Sequence, residues 1–232
     1  MRILLHRESA GRDDAANHRL AAGSGLVPRN LRRHTCAMNT KMIATASLAL
    51  LCSVALSESS ETVRNPVYTP DGQLALPEDY REWVYLSTGF DMAYSPMAMG
   101  HHMFDNVFVE PGAYKAFLAT GTWPDKTMLV LEVRGAMDKG SINKSGNYQS
   151  TDVMGREVHV KDSAHLQGWA FFGFDTGKTA QMTPRTAACY SCHAAHAAVD
   201  NTFVQFYPTL LPIATAKGTL SAAYKTESAA KD

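Results

Sequence analysis

The segment of this 232-residue chain with the clearest chemistry is Cys189-Tyr190-Ser191-Cys192-His193, a C-x-x-C-H motif. In c-type haem attachment two thiols at this spacing reach the two vinyl groups, and the histidine after the second cysteine binds the iron. A disulfide-exchange motif would open a helix in a βαβ setting, and a zinc site would need two more ligands at motif spacing. The sequence shows neither a βαβ pattern around the motif nor two further zinc ligands at motif spacing. The sequence predicts one covalent c-type haem near the C-terminus, with Cys189 and Cys192 as attachment points and His193 as the metal ligand.

The position of the motif narrows the class of haem protein. In the common small electron carriers the motif lies near the N-terminus, and a later methionine supplies the second axial ligand. Here 39 residues follow His193, and none is methionine. His196 lies on the same helical side as His193 and cannot reach the opposite haem face. The upstream candidates for a sixth ligand are His101, His102, His159, His165 and several methionines. We take an open or weakly held sixth position as the default.

The sequence predicts that residues 1–57 are an N-terminal extension and a signal peptide rather than part of the folded domain. Residues 42–56 form the only long apolar run. At about 15 residues this run is shorter than the roughly 20 that a membrane-spanning helix needs. With Lys41 before it and a small-x-small pattern ending at Ser57, it resembles a signal peptide at residues 38–57. Residues 1–37 contain seven arginines. We interpret them as a non-native extension, or as residues added because the start codon was assigned too early.

Charge and composition limit the partners. The whole chain carries 22 basic and 22 acidic residues. Residues 58–232 retain 14 basic and 19 acidic ones, a net charge of −5. This argues against a nucleic-acid partner. We predict a periplasmic or secreted protein that does not insert into the membrane after signal cleavage.

Residues 58–232 are predicted to form a single haem domain with an extended N-terminal arm and a loose C-terminal tail. Apolar alternation predicts strands at residues 106–109, 127–134, 155–161 and 168–174, with loops at 90–103 and 139–152. Short helices are expected within residues 76–86 and 113–118. Because no rhythm of long helices between strands appears, the predicted fold class is α+β, mainly an antiparallel β-sheet with several short helices.

The strand at residues 127–134 has two unlike faces. Alternation places Leu129, Leu131 and Val133 on one face, and Glu132 and Arg134 on the other. We expect Glu132 and Arg134 to form a surface ion pair rather than to support a metal site.

Five segments of the mature chain together resemble a known family. They are LPEDYREWV at residues 76–84, VFVEP at 107–111, GTWPD at 121–125, GWAF at 168–171, and CYSCH followed by DNTFVQFYP within 189–208. This set resembles cytochrome P-460 and the related cytochromes c′-beta. The resemblance implies a mainly antiparallel β fold, a homodimer, and one c-type haem with five-coordinate iron. It also implies that Cys189 and Cys192 hold the haem and that His193 is the proximal ligand.

The resemblance implies a division within the family. Members that oxidise hydroxylamine carry a lysine joined covalently to the porphyrin rim, whereas c′-beta members lack that bond and bind nitric oxide or carbon monoxide. The lysine is expected directly before a glutamate, and here Leu131 precedes Glu132. A leucine has no amine that could form the bond. Lys126, five residues earlier, lies on the opposite strand face at the edge of the strand and is a poor substitute.

An apolar pocket would favour binding over turnover. A vacant ferrous site walled by Leu129, Leu131 and Val133 admits small neutral diatomics but offers no proton acceptor to a polar substrate. We assign Leu131 and Phe108 to the cofactor site. Phe90, Phe104 and Phe108 are candidates for aromatic packing over the distal face.

We therefore predict an exported monohaem cytochrome that binds nitric oxide or carbon monoxide, with electron exchange with a redox-partner cytochrome as a second role. The alternative is a hydroxylamine-oxidising oxidoreductase, so the sequence leaves open whether the protein is an enzyme. A further alternative is the helical cytochrome c′, which also has its motif near the C-terminus. The alternating strands around Leu131 and Phe171 argue against it.

Overall fold

A computed structural model describes residues 62–93 and 102–230 of the chain. The predicted extension and signal peptide, and most of the loop predicted at residues 90–103, lie outside these described residues. Within the described part of the chain, no helix combines the length and the apolar character that crossing a membrane requires.

The described residues form seven strands and four α-helices. The strands are β1 (Leu74–Ala75), β2 (Val84–Phe90), β3 (Met103–Val109), β4 (Met128–Met137), β5 (Tyr148–Asp162), β6 (Gly168–Gly173) and β7 (Thr179–Ala180). The helices are α1 (Pro111–Thr120), α2 (Ala188–His196), α3 (Leu211–Lys217) and α4 (Ala222–Ala229). Short 3-10 helices occur at Tyr80–Glu82 and Val204–Phe206.

The central feature is a five-stranded antiparallel sheet in the order β2-β3-β4-β5-β6. Neighbours in the sheet are also neighbours in sequence, so each strand returns beside the one before it. β1 and β7 form a separate two-stranded antiparallel sheet. The predicted α+β fold class with mainly antiparallel strands is therefore confirmed. In the register of the large sheet, Leu131 of β4 lies opposite Val107 of β3 and Glu157 of β5.

Each face of the sheet has its own apolar cluster, because successive side chains point to opposite faces. On one face Leu129 and Val109 pack with α1, α3 and the segment after α2. On the other face Val130 and Val158 pack with the N-terminal arm, including Leu74. The sheet is consequently buried on both sides, and its two faces can carry different sites.

Helix α1 has a start and an end that its sequence explains. The Glu110 side chain accepts a hydrogen bond from the Ala113 backbone N–H at 2.8 Å, and Pro111 occupies the first turn, where no N–H partner is needed. Gly121 ends the helix with φ 77°, in the left-handed region that glycine adopts most readily. A Cβ on Gly121 would lie 2.7 Å from the Lys217 Cβ, so this end of α1 also packs closely against α3.

Three predicted elements differ from the structure. The loop predicted at residues 139–152 is shorter, because β5 already begins at Tyr148. The helix expected within residues 76–86 is wrong: only Tyr80–Glu82 form a helical turn, and Val84 begins β2. Pairing with β3 overrides the weak local helix preference, and it buries Leu86 in the core. The C-terminal tail is also not loose, since it forms α3 and α4. Leu210 is fully buried beside α3, so apolar burial rather than local pattern holds this segment.

Candidate haem site

A cavity of about 670 Å³ lies between the sheet and α2. Its size falls within the range of roughly 300–1,000 Å³ typical of cofactor and ligand sites. The side chains that line it and bear on the chemistry are Leu129, Leu131 and Val133 from β4, and Cys189, Cys192 and His193 from α2. The β4 face identified from alternation is thus the face that meets the C-x-x-C-H motif.

Helix α2 brings the motif residues to one place. Cys189, Cys192 and His193 are three and four residues apart, a spacing that places side chains on one helical face. Both cysteines are free thiols and partly exposed. The ring of Tyr190 packs on Phe171 of β6 with centroids 4.5 Å apart, and its hydroxyl donates to a backbone carbonyl 3.1 Å away. This contact docks α2 against the sheet.

The ring of His193 is held in one tautomer. Its Nδ1 lies 2.7 Å from the backbone carbonyl oxygen of Asn201. Because a carbonyl only accepts, Nδ1 carries the proton and Nε2 keeps its lone pair. Burial and, to a smaller extent, nearby His159 lower the pKa of His193 to about 4, so the imidazole is neutral. A neutral imidazole that donates its other N–H to a carbonyl is the usual form of a metal-bound histidine.

The carbonyl that orients His193 belongs to a constrained turn. Asp200 and Asn201 are consecutive non-glycine residues with φ of 46° and 57°. This left-handed conformation is costly unless the surroundings enforce it. The Lys161 ammonium provides that restraint, since it donates to Asp200 Oδ2 at 2.6 Å and to the Trp123 carbonyl at 2.8 Å. We call these contacts the Lys161 clamp.

Phe108 does not line the cavity, and neither does Phe104 nor Phe90. In β3 the side chains of Met103, Asp105 and Val107 face the cavity, so Phe104 and Phe108 face the other way. Phe108 packs instead against Tyr80, with centroids 5.7 Å apart. The expectation that these phenylalanines pack over the haem is therefore wrong. Phe104 and Phe108 are each one residue away from a β3 side chain that does face the cavity.

The cavity is less apolar than the sequence suggested. Glu157, Asp105 and His159 all line it. The His159 ring lies 3.6 Å from the Glu157 carboxylate, and this pairing is the main cause that lowers the Glu157 pKa. Burial raises the pKa of Asp105, and the charge of Glu157 adds to the effect. Alternation along β5 could have placed Glu157 and His159 on one face, but only the register with Leu131 places that face in the cavity.

Glu132 is not part of a surface ion pair. It does bind Arg134, as expected, with Nε to Oε1 at 2.5 Å, yet its side chain is only 3% exposed. Its other oxygen accepts from Arg81 and from the Tyr80 hydroxyl. The N-terminal arm covers this face of the sheet, which the sequence pattern did not reveal. Lys126 likewise lies away from the cavity and pairs with Asp162.

The structure shows which of the upstream candidates for a sixth ligand line the cavity and which do not. His159 lines the cavity, as do Met92 and Met103. His102 pairs with Asp91, and His165 lies beside a buried aspartate at the end of β5. His101 lies outside the described residues.

These residues fit a haem. One cavity joins two free thiols on one helix, an imidazole with an available Nε2, and an apolar wall from β4. An antiparallel sheet with such a site defines a class of haem protein distinct from the helical cytochromes. Consistent with this, residues 77–204 match the model of the Cytochrome P460 family. The match covers more than half of the chain, and the protein belongs to the cytochrome P460 family of haem-binding proteins. No curated protein sequence shows significant similarity to the chain.

Proposed function

We propose that the protein is an exported monohaem c-type cytochrome with five-coordinate iron whose cavity binds a small gaseous ligand such as nitric oxide or carbon monoxide. The observation that carries the proposal is the combination in one cavity of a single oriented imidazole, His193, with the apolar wall of Leu129, Leu131 and Val133. Haem iron supplies an open coordination position that takes small neutral ligands.

Covalent attachment follows from the two thiols. Cys189 and Cys192 would hold the haem through one thioether bond each, formed by addition of the S–H to a vinyl group without an oxidant. Their positions on the same helix as His193 fix the ring relative to the imidazole. The Leu131 side chain has no amine, so a further bond from this position to the ring is excluded by its chemistry.

The remaining residues shape ligand choice. Leu131 and Val107 are cross-strand neighbours and exclude water from the middle of the sheet face. Neutral diatomics lose little on entering such a region, whereas charged or strongly hydrated molecules lose their solvation. We further propose that residues 38–57 direct export, that a second copy of the chain forms the homodimer, and that another cytochrome exchanges electrons with it. These points rest on the leader pattern and on family resemblance.

Three measurements on the matured holoprotein test the proposal. Intact mass should equal the chain plus one haem joined by two thioether bonds, with no additional bond to the ring. Anaerobic titration of the ferrous protein should give stoichiometric binding of carbon monoxide and nitric oxide. Absence of haem, or a second strong ligand that neither gas displaces, would refute the proposal.

Hydroxylamine oxidation remains a second candidate, because Glu157 places a carboxylate in the cavity directly opposite Leu131 in the sheet register. A carboxylate can accept a proton from a bound polar substrate. Sustained hydroxylamine-dependent dye reduction, lost in Glu157→Gln but kept in Glu82→Gln, would support this candidate. Glu82 is an exposed glutamate outside the cavity and serves as the matched control. Dye reduction that is absent in the unmodified holoprotein would support gas binding without turnover.

A further inference from the structure

A second, smaller recess lies on the sheet face opposite the haem cavity. Its volume is about 240 Å³, and the residues that line it are Leu76, Glu78, Tyr80, Arg81, Arg156 and residues 176–178. We call it the back pocket. Arg156 and Glu157 are neighbours on β5, so their side chains leave the sheet on opposite faces. The back pocket is consequently separate from the candidate haem site.

Positive charge around the back pocket exceeds the nearby negative charge. Glu132 is a buried carboxylate that accepts from Arg81 and Arg134, and in the sheet register it lies opposite Arg156. Glu132 therefore pairs with two guanidinium groups, and a third, that of Arg156, belongs to the residue opposite it without pairing with it. Burial and, next to it, the hydroxyl hydrogen bond to Glu132 raise the pKa of Tyr80 to about 12, so Tyr80 contributes no second negative charge.

The exposed residues at the edge of the back pocket do not cancel the excess of positive charge. Lys178 lies in the back pocket, and its ammonium donates to Glu78 at 2.8 Å. Both of these side chains are largely exposed, so the pair is weak and rearranges at little cost. Lys178 is therefore available to a ligand that enters from solvent.

Arg156 is the residue that indicates a ligand. Its Nη2 donates to the Asp175 carbonyl at 3.2 Å, but its Nε is buried and has no hydrogen-bond partner. Within residues 62–93 and 102–230, no carboxylate lies within ion-pair distance of Arg156. A buried guanidinium donor without a partner is unfavourable, and an anion is the group that best satisfies it.

We propose that the back pocket binds a small oxyanion, either inorganic or the carboxylate of a small molecule. The planar guanidinium of Arg156 provides a fork of N–H donors that matches two oxygens of such a group. Arg81 uses Nε and Nη2 for Glu132 and retains Nη1 for the same ligand. The site is independent of haem chemistry, so the failure of gas binding would leave it unaffected.

The test uses the matured holoprotein and two probes, inorganic phosphate and acetate, in calorimetric titrations at constant ionic strength set with chloride. We expect saturable binding of one equivalent of at least one probe, and an unfolding temperature that rises with the concentration of that probe. Arg156→Met should weaken binding at least tenfold. Arg64→Met is the matched control, because Arg64 forms an exposed pair with Asp79 outside the back pocket and its loss should leave affinity unchanged.

The two probes also identify the source of the anion. Tighter binding of phosphate favours an inorganic oxyanion, and comparable binding of acetate favours a small-molecule carboxylate. Should Arg156→Met fail to fold, Arg156→Lys retains the charge but loses the fork, and it should still bind severalfold more weakly. Failure of both probes to saturate, or equal affinity in the unmodified protein and the foldable Arg156 variant, would overturn the proposal.

Discussion

The Lys161 clamp offers a direct test of how the fold orients His193, the proposed haem ligand. Lys161→Met removes the ammonium that holds Asp200 and the Trp123 carbonyl but keeps most of the side-chain volume. The turn at Asp200 and Asn201 can then relax toward less costly backbone angles. We expect the hydrogen bond from His193 to the Asn201 carbonyl to lengthen from its 2.7 Å.

The expected loss of stability is modest. A hydrogen bond to a charged group contributes about 1.5–3 kcal/mol. The side chains of Lys161 and Asp200 are 23% and 30% exposed, so solvent screens part of this contribution. We therefore expect a loss of about 1–2 kcal/mol. For a domain of this size that corresponds to a decrease in unfolding temperature of about 2–8 °C.

The effect on the iron is more specific. A strong bond from Nδ1 makes the imidazole a better electron donor and stabilises ferric iron. Losing a hydrogen bond worth about 0.5–1.5 kcal/mol should raise the reduction potential by about 20–60 mV, since 59 mV equals a tenfold change for one electron. The sign is informative, because general loosening of the haem pocket would admit water and lower the potential.

The assay is a redox titration of the holoprotein combined with resonance Raman detection of the iron–histidine stretch. Lys161→Met should raise the potential and lower the stretching frequency, and Lys161→Arg should restore both in part. Lys178→Met is the control, because it removes another lysine–carboxylate pair, on an exposed surface far from His193. A lower unfolding temperature with unchanged potential and frequency would show that the Lys161 clamp only stabilises the fold, and the reasoning would be refuted.

Three further predictions concern stability. Burial raises the pKa of Asp162, but the ammonium of Lys126 and the His165 backbone N–H lower it more, to about 2. Because the folded pKa lies below the ordinary value of 3.8, Asp162 stabilises the fold above pH 4, and this contribution is lost between pH 4 and pH 2. Acid titrations followed by circular dichroism should show a smaller loss for Asp162→Asn. Phe117→Ala empties a fully buried site and should cost about 3–5 kcal/mol in urea unfolding. Gly121→Ala should cost more than about 1 kcal/mol in the same assay, because it combines φ 77° with a close contact to α3.

The candidate haem-binding residues could be predicted from the sequence for a physical reason. Cys189, Cys192 and His193 are adjacent in the chain, and their chemistry depends on spacing along one helical turn. The face of β4 that carries Leu131 followed from strand alternation, which is also a local property. Both predictions required only that neighbouring residues keep their expected geometry.

Errors appeared where distant segments meet. The sequence of β3 alternates, but it does not show which of its two faces continues the Leu131 face of β4. In the sheet register that face carries Val107, and Phe108 lies on the other one. The burial of Glu132 depends on Tyr80 and Arg81, some 50 residues earlier in the chain, which cover it from the N-terminal arm. The local pattern of residues 76–86 favours a helix, and only pairing with β3, a separate segment of the chain, turns Val84–Phe90 into a strand.

The chain alone thus predicted the chemistry of the candidate site, the sheet class and the apolar character of one strand face. Folding in three dimensions added the carboxylate of Glu157 beside Leu131, the Lys161 clamp behind His193, and the positive back pocket around Arg156. These features all arise from strand register and from contacts between distant segments. Such contacts depend on how whole elements pack, whereas spacing along a helix or strand depends only on the backbone of neighbouring residues.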